Sequence, residues 1–201
     1  GKGCRTCNFH GISEYDSVEG KISKFLFDKF GGTTTKFTWI GGEDKSSLVI
    51  GTGRPFFVKI QNPLKRNLSL PKKIISDSIV IYNCKIIKAP PKTPIKFSSF
   101  IKLKISTTKN ISNATLKKLK TILSGPVIVY EKSGKRSEKS IFDLNYKKTS
   151  KNCFNLFIKS EGGLPVKRFV DSDDVTPGVS QILNDKCTCI TFDFLDVDLK
   201  W

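Results

Sequence analysis

Residues 187–199 read "CTCITFDFLDVDL", an alternation of apolar and polar side chains that is typical of a β-strand with one buried face. The alternation changes phase between Phe194 and Leu195, because these two consecutive residues are both apolar. After this step the alternation continues through Val197. A single extra residue in a strand produces such a shift. The stretch therefore predicts a long strand of a one-sided sheet, with a β-bulge at this step.

The same kind of pattern recurs through most of the chain and predicts further strands between clusters of Pro, Gly, Asn and charged residues. These segments are residues 35–40, 47–50, 54–60, 77–87, 95–105, 125–130, 139–146 and 153–160. They do not alternate regularly with helices, as parallel βαβ units would require. We therefore expect an α+β fold around a mixed, largely antiparallel sheet flanked by a few helices.

Three segments have helical character. In residues 16–32, apolar side chains recur at helical spacing, Asp16 or Ser17 can serve as N-cap, and two glycines end the segment. Residues 112–123 place a leucine and isoleucine stripe beneath a lysine-rich face, and a short helix is expected in residues 176–184. The helices are too few to form a bundle, which supports the mixed fold class.

The composition favours a globular protein with a polyanionic partner. The chain has 201 residues, 38% of them hydrophobic, and its 35 Lys and Arg against 18 Asp and Glu give a formal net charge of +17. Such an excess attracts phosphate backbones, although a lysine-rich solvated surface is the alternative. From Asp171 onward there are seven Asp against only Lys186 and Lys200, so the basic excess lies in the first 170 residues.

The cysteines leave two interpretations open. Cys4 and Cys7 have the spacing of a zinc knuckle, and His10 or the pair Cys187 and Cys189 could complete a four-ligand site if the chain ends approach each other. Alternatively, the six cysteines are free or buried thiols of a protein in a reducing cytoplasm. No apolar run approaches the ~18 residues that a membrane span requires. We expect a cytoplasmic protein without a membrane partner.

Few enzymatic chemistries fit the remaining residues. A Cys-His or Ser-His site would have to use His10, the only histidine, in the N-terminal loop, and there is no Walker loop or dinucleotide-binding fingerprint. What remains is the stretch "GGEDKSSLVIGTGR" at residues 41–54, with a carboxylate pair set between glycines, and the later turn "EGGLPVKRFV" at residues 161–170. An Asp serves as nucleophile or base when a cation controls its charge, and Lys167 is a candidate for that cation.

Several segments, taken in order, resemble the catalytic domain of the archaeal and eukaryotic pseudouridine synthases that act on the T loop of tRNA. The stretch "GGEDKSSLVIGTGRPFFVKIQNPLKR" at residues 41–66 is similar to the family motif in which Gly-Arg-Glu-Asp precedes Gly-Arg-Pro-Phe. Residues 16–22, 95–103, 161–170 and 175–201 resemble the family's Ser-Val-Glu helix, tyrosine-bearing strand, Lys-containing segment and closing segment. The resemblance implies a pseudouridine synthase-like catalytic domain over residues 16–201, preceded by a cysteine-containing loop or knuckle in residues 1–15.

The resemblance also implies residue roles. Asp44 takes the place of the catalytic aspartate, and Lys167 that of the basic residue that keeps it ionised. Phe97 stands where the family has a tyrosine against the target base, and Arg54, with Lys65 and Arg66 beyond it, would hold RNA phosphate. The implied reaction isomerises uridine to pseudouridine, at uridine 54, uridine 55 or both, and needs neither a metal nor an organic cofactor.

The chain departs from the family pattern at several of these positions. Gly42 stands where the family has arginine, and Pro165 replaces a tyrosine. The family's RNA-binding THUMP domain has no counterpart in these residues, so a THUMP-containing segment or partner would assist tRNA binding. There are two alternatives: a non-catalytic RNA-binding module on the same fold, and a basic α+β protein that binds ribosomal or other RNA, with or without zinc. Loss of pseudouridine formation on removal of Asp44 would separate the enzyme from both.

Overall fold

A computed structural model of the chain describes residues 5, 15–42, 47–76, 79–89, 91 and 94–199. The chain divides into two compact units. The first comprises Gly1–Thr38 and Phe56–Lys92, and the second comprises Trp39–Pro55 and Thr93–Trp201. Since the loop of residues 41–54 belongs to the second unit, that unit contains the segments to which the sequence assigned the site residues.

In its described residues the first unit contains one helix and two two-stranded sheets, β1-β2 and the antiparallel pair β3-β4. Helix α1 is Val18–Phe30, strands β1 and β2 are Thr35–Trp39 and Phe56–Ile60, and strands β3 and β4 are Lys73–Ser76 and Ile79–Tyr82. The Ser17 hydroxyl caps α1 by accepting the Gly20 amide at 3.0 Å, and the helix ends at Gly31, whose φ is 67°. Both helix ends lie where the sequence predicted them.

The second unit is built on a four-stranded antiparallel sheet in the order β11-β5-β9-β8. Its strands are Phe97–Thr107 (β5), Ile141–Lys148 (β8), Cys153–Glu161 (β9) and Cys187–Leu199 (β11). A second sheet has the order β10-β6-β7, from Val175–Thr176, Val127–Tyr130 and Arg136–Lys139. The predicted α+β class, with a largely antiparallel sheet, is confirmed.

Three helices form a layer against the four-stranded sheet. They are Asn113–Ile122 (α2), Val166–Asp171 (α3) and Val179–Leu183 (α4). Helix α2 contacts β8 at one side of the sheet, α3 contacts β11 at the other, and α4 contacts both helices. The core lies between these layers and is almost completely buried; it includes Ile101, Leu103, Ile105, Phe154, Leu156, Ile158, Leu116, Leu119 and Phe169.

Strand β11 contains the predicted irregularity. Its register against β5 shifts between Phe194 and Asp196, which confirms the bulge at Leu195, and it shifts a second time between Cys189 and Thr191. The prediction of a strand in residues 47–50 was wrong, because only Val49 forms a bridge there, parallel to Phe194. Short strands β3, β7 and β10 and helix α3 were not predicted from the sequence.

Candidate active site

The candidate active site is formed by three chain segments of the second unit that meet around the ring of Phe97, the first residue of β5. The Gly162 amide, in the turn after β9, donates to the Phe97 carbonyl oxygen at 2.8 Å. A Cβ at Gly162 would lie 2.5 Å from the Phe97 ring, and a Cβ at Gly41 would lie 3.8 Å from it. The segments that carry Phe97, Gly41 and Gly162 were far apart in the sequence but all belonged to the predicted site.

Asp44, the predicted catalytic residue, lies in residues 43–46, outside the described residues. The chain on either side of this segment is described, and both sides are tied to the second unit. Gly41, with φ of 85°, packs against Phe194: a Cβ there would lie 3.2 Å from the ring. The described parts of this loop are therefore residues 41–42 and 47–54.

Arg54 contacts the part of the loop that precedes Asp44. Its Nε donates to the Ile40 carbonyl oxygen at 2.7 Å, and its Nη2 donates to the Gly41 carbonyl oxygen. The guanidinium also lies over two rings, with Cζ 5.2 Å from the centroid of Trp39 and 5.4 Å from that of Phe194. A planar guanidinium suits this combination of hydrogen bonds and stacking. The sequence resemblance implied that Arg54 binds RNA phosphate, whereas these contacts are with other residues of the protein.

The bulge of β11 forms hydrogen bonds with the part of the loop that follows Asp44. The Ile50 amide donates to the Phe194 carbonyl oxygen at 2.8 Å, and the Phe194 amide donates to the Leu48 carbonyl oxygen at 2.9 Å. At the next step the Thr52 amide donates to the Leu195 carbonyl oxygen at 3.2 Å. Asp193 and Asp196 accept from the Leu48 amide and the Thr52 hydroxyl, respectively.

Gly51 makes this close approach possible. Its φ is 76°, and a Cβ at this position would overlap the Leu195 carbonyl oxygen. Glycine is the residue that accepts both the left-handed backbone and the close contact. Phe194, Leu195 and Gly51 thus belong to the support of the loop. The phase shift at Leu195 was visible in the sequence, but its partner in the loop was not.

Lys167 lies on α3, five residues beyond Gly162, and is exposed. The turn that leads to it is held by Lys139, whose Nζ donates to the Gly162 carbonyl oxygen at 2.8 Å and lies 3.7 Å from Glu161 Oε1. Sequence reasoning missed Lys139, because the strand that carries it is polar and has no alternation to mark it.

Gly42 adjoins the segment that carries Asp44 and is exposed. A Cβ at this position would meet none of the described atoms within 4 Å. No described atom therefore obstructs the first side-chain carbon of the arginine that the resembled family has at this position.

The structure does not test the zinc hypothesis as a whole, because Cys4, Cys7 and His10 lie outside the described residues. Cys187 is buried, and its Sγ donates to the Asp185 carbonyl oxygen at 3.5 Å. Burial raises the pKa of this thiol to about 11, partly opposed by a hydrogen bond with Ser180. A zinc ligand must be a thiolate, and burial of Cys187 favours the neutral thiol. Among the described residues, no three His, Cys, Asp or Glu side chains form a metal-binding group.

None of the helices in the described part of the chain has the length and apolar character needed to cross a bilayer.

Comparison with known proteins gives a consistent result along the whole chain. The family model described as "Pus10, C-terminal" matches residues 6–198. A protein of Nitrosopumilus maritimus named tRNA pseudouridine synthase Pus10 is 60% identical over 200 residues, which are 100% of this chain and 52% of that protein. Proteins of the same name from Cenarchaeum symbiosum and Methanosphaera stadtmanae are 34% and 31% identical, covering 100% and 99% of this chain and 50% and 53% of their own.

The chain spans about half the length of these curated relatives. The family match, in contrast, covers nearly all of the chain and includes every segment that meets around Phe97. The chain belongs to the Pus10 C-terminal family.

Proposed function

We propose that this chain is the catalytic part of an enzyme that isomerises uridine to pseudouridine in tRNA, most specifically in the T loop. The observation that carries the proposal is the meeting of three segments around Phe97. The loop that contains Asp44, the start of β5 and the turn before Lys167 lie together there, in a family whose relatives are named tRNA pseudouridine synthases. Uridines 54 and 55 are the proposed targets.

In the proposed reaction Asp44 attacks either the ribose or the uracil of an extruded nucleotide. The bond between C1′ and N1 breaks, the uracil turns, and a bond between C1′ and C5 forms; the bond to Asp44 is broken again, so the free carboxylate is regenerated. A proton leaves C5 and one is taken up at N1, so the reaction is a net isomerisation that consumes no co-reactant. Contacts on both described sides of this loop, made by Arg54 and by the bulge of β11, support a role for the loop in positioning the nucleophile.

Two further side chains have proposed roles. Lys167 pairs with Asp44 and opposes the rise in the pKa of Asp44 that burial under a bound base would cause. Phe97 is partly exposed and offers an aromatic ring against the extruded base, which restores part of the stacking energy lost on flipping. A THUMP-containing segment or partner would add affinity for tRNA.

The decisive experiment incubates the parent and an Asp44→Ala variant with an unmodified tRNA transcript and maps pseudouridine. We expect product in the T loop from the parent and none from Asp44→Ala, with tRNA binding retained by both. Glu43→Ala is the matched control, since it removes the neighbouring carboxylate and should leave product formation intact. Equal product from parent and Asp44→Ala would exclude the nucleophile role.

Parent protein that binds tRNA but forms no product, even with the remaining half of a relative added, would contradict the enzyme proposal. That result would favour the non-catalytic RNA-binding module instead.

A further inference from the structure

Six exposed lysines lie on α2, at the end of β8 and just after it, and we call the region that carries them the α2–β8 surface. Its members are Lys117, Lys118, Lys120, Lys147, Lys148 and Lys151. Two hydrogen bonds join the segments that carry these lysines. The Ile111 amide, just before α2, donates to the Lys151 carbonyl oxygen, just after β8, at 2.8 Å, and Lys120 Nζ donates to Asn145 Oδ1 at 2.6 Å. Helix α2 and the end of β8 therefore lie next to each other.

The charge of this surface is not balanced locally. Residues 109–130 and 144–160 contain neither Asp nor Glu, and the nearest carboxylate on β8, Asp143, accepts a hydrogen bond from Asn145. Helix α2 has no acidic residue in its first turn. Packing of the fully buried Leu116 and Leu119 accounts for the apolar residues on the inner side of the helix. It does not account for the lysines on the outer side.

The surface lies away from the candidate active site along the same sheet. Lys147 pairs with Asn155 of β9, and Gly162, which packs on Phe97, comes seven residues later. At the rise of an extended strand this corresponds to about 20 Å. A nucleic acid whose uridine is at Phe97 could reach the α2–β8 surface only with a part that extends well beyond the reacting loop.

We propose that the α2–β8 surface binds the sugar-phosphate backbone of a double-helical arm of the substrate RNA, about 20 Å from the reacting uridine. This rests on the proposed function. Double-helical RNA is recognised mainly through phosphates and 2′-hydroxyls, and a set of exposed lysines without carboxylate partners is suited to the phosphates. The surface thereby distinguishes a loop that belongs to a folded tRNA from the same loop in a short RNA.

The test compares a Lys117→Glu/Lys118→Glu variant with the parent for binding of full-length tRNA transcript over a range of salt concentrations. We expect about tenfold weaker binding at moderate salt and a salt slope lower in magnitude by about 1.5, because two phosphate contacts are lost. The matched control, Lys132→Glu/Lys135→Glu, makes the same charge change on the exposed turn between β6 and β7 and should bind like the parent.

A second, shorter RNA distinguishes binding at the α2–β8 surface from a general effect of the protein's net charge. A stem-loop too short to reach 20 Å from its loop should bind parent and Lys117→Glu/Lys118→Glu equally. Equal binding of tRNA by parent and variant, or equal losses in variant and control, would overturn the proposal. These lysines would then only protect the edge strand β8 from pairing with other chains.

Failure of the proposed function gives a different result. If the parent binds tRNA with the expected dependence on Lys117 and Lys118 but forms no pseudouridine, the result supports RNA binding by the surface and contradicts the enzyme proposal. If pseudouridine forms and the variant binds tRNA like the parent, the result supports the enzyme proposal and contradicts RNA binding by the α2–β8 surface.

Discussion

The contacts of Arg54 suggest a role other than the one that the sequence resemblance implied. Sequence resemblance assigned it to RNA phosphate, whereas in the structure its guanidinium donates to the carbonyl oxygens of Ile40 and Gly41 and lies over Trp39 and Phe194. These contacts fix the chain just before Asp44. A positioning role and a phosphate role lead to different expectations for a conservative substitution.

Arg54→Lys keeps the positive charge but loses the planar group that makes two hydrogen bonds and stacks. If Arg54 positions the loop, kcat for pseudouridine formation should fall by about 100-fold, because a displacement of about 1 Å is that costly. The Kd for tRNA and its salt slope should change little. A phosphate-binding Arg54 would instead give nearly unchanged kcat with lysine, and weaker binding with a flatter salt dependence in Arg54→Glu.

Cys187 provides a prediction for the pH dependence of stability. Burial raises the pKa of its thiol in the folded protein to about 11, from the ordinary value of 9.0. The thiol of the unfolded chain therefore ionises first as the pH rises. The contribution of Cys187 to stability is complete below pH 9 and is lost as the pH increases through about 11.

We expect the free energy of unfolding of the parent to fall relative to that of Cys187→Ala by about 2 kcal/mol between pH 8 and pH 11. Urea unfolding of both proteins at each pH measures this difference. Alkylation at pH 8, followed by mass spectrometry, should modify Cys187 much more slowly in the folded than in the unfolded protein. A constant difference in stability together with rapid alkylation would show that the thiol is accessible and has an ordinary pKa.

Among the structural elements, β11 and its bulge connect the fold to the site. A regular strand would present no step at Leu195 for the loop to approach. The bulge brings the Leu195 carbonyl oxygen against Gly51 and within reach of the Thr52 amide, while Val49 pairs with Phe194. Bulges often lie next to active sites because they redirect a strand locally. The loop depends on this contact and on glycine at position 51.

Gly51→Ala and Gly53→Ala form a matched pair that tests this dependence. Both glycines have positive φ, 76° and 99°, but only a Cβ at Gly51 would overlap another atom, the Leu195 carbonyl oxygen. Gly53→Ala should cost about 1–2 kcal/mol of stability for the left-handed backbone alone. Gly51→Ala should cost clearly more and should also lower kcat, since the loop must move off β11. Equal losses in urea unfolding would show that the close approach is not required.

Across the whole molecule, charge is distributed unevenly. Seven aspartates lie between Asp171 and Asp198, and two of them, Asp193 and Asp196, hold the loop of the candidate site. The lysines of the α2–β8 surface lie in segments without any carboxylate. The lysines of the α2–β8 surface thus lie in other parts of the chain than these aspartates. This separation supports an RNA partner better than a uniformly lysine-rich surface would.

The sequence by itself determined the elements whose signal is local. Capping by Ser17 and Gly31, the apolar stripes of α1 and α2 and the phase change at Leu195 are all properties of consecutive residues. Each was predicted, although Asp16 was an alternative N-cap and the stripe residues Val18 and Ile122 are exposed. Only the tertiary structure decided the elements that depend on distant partners. Polar strand β7 exists because β6 pairs with it, and six-residue α3 lacks the length for a periodic signal and is held by burial of Phe169 and Val170.

The same distinction holds for the candidate site. Family resemblance named Asp44, Phe97 and Lys167 in order, but sequence order does not say which atoms meet. The structure shows that Gly162 and Gly41 approach the Phe97 ring and that Arg54 binds the carbonyl oxygens of Ile40 and Gly41. These contacts join segments that are far apart in the sequence. Local side-chain pattern specifies secondary structure, whereas the long-range hydrogen bonds and packing that assemble the site exist only in the folded chain.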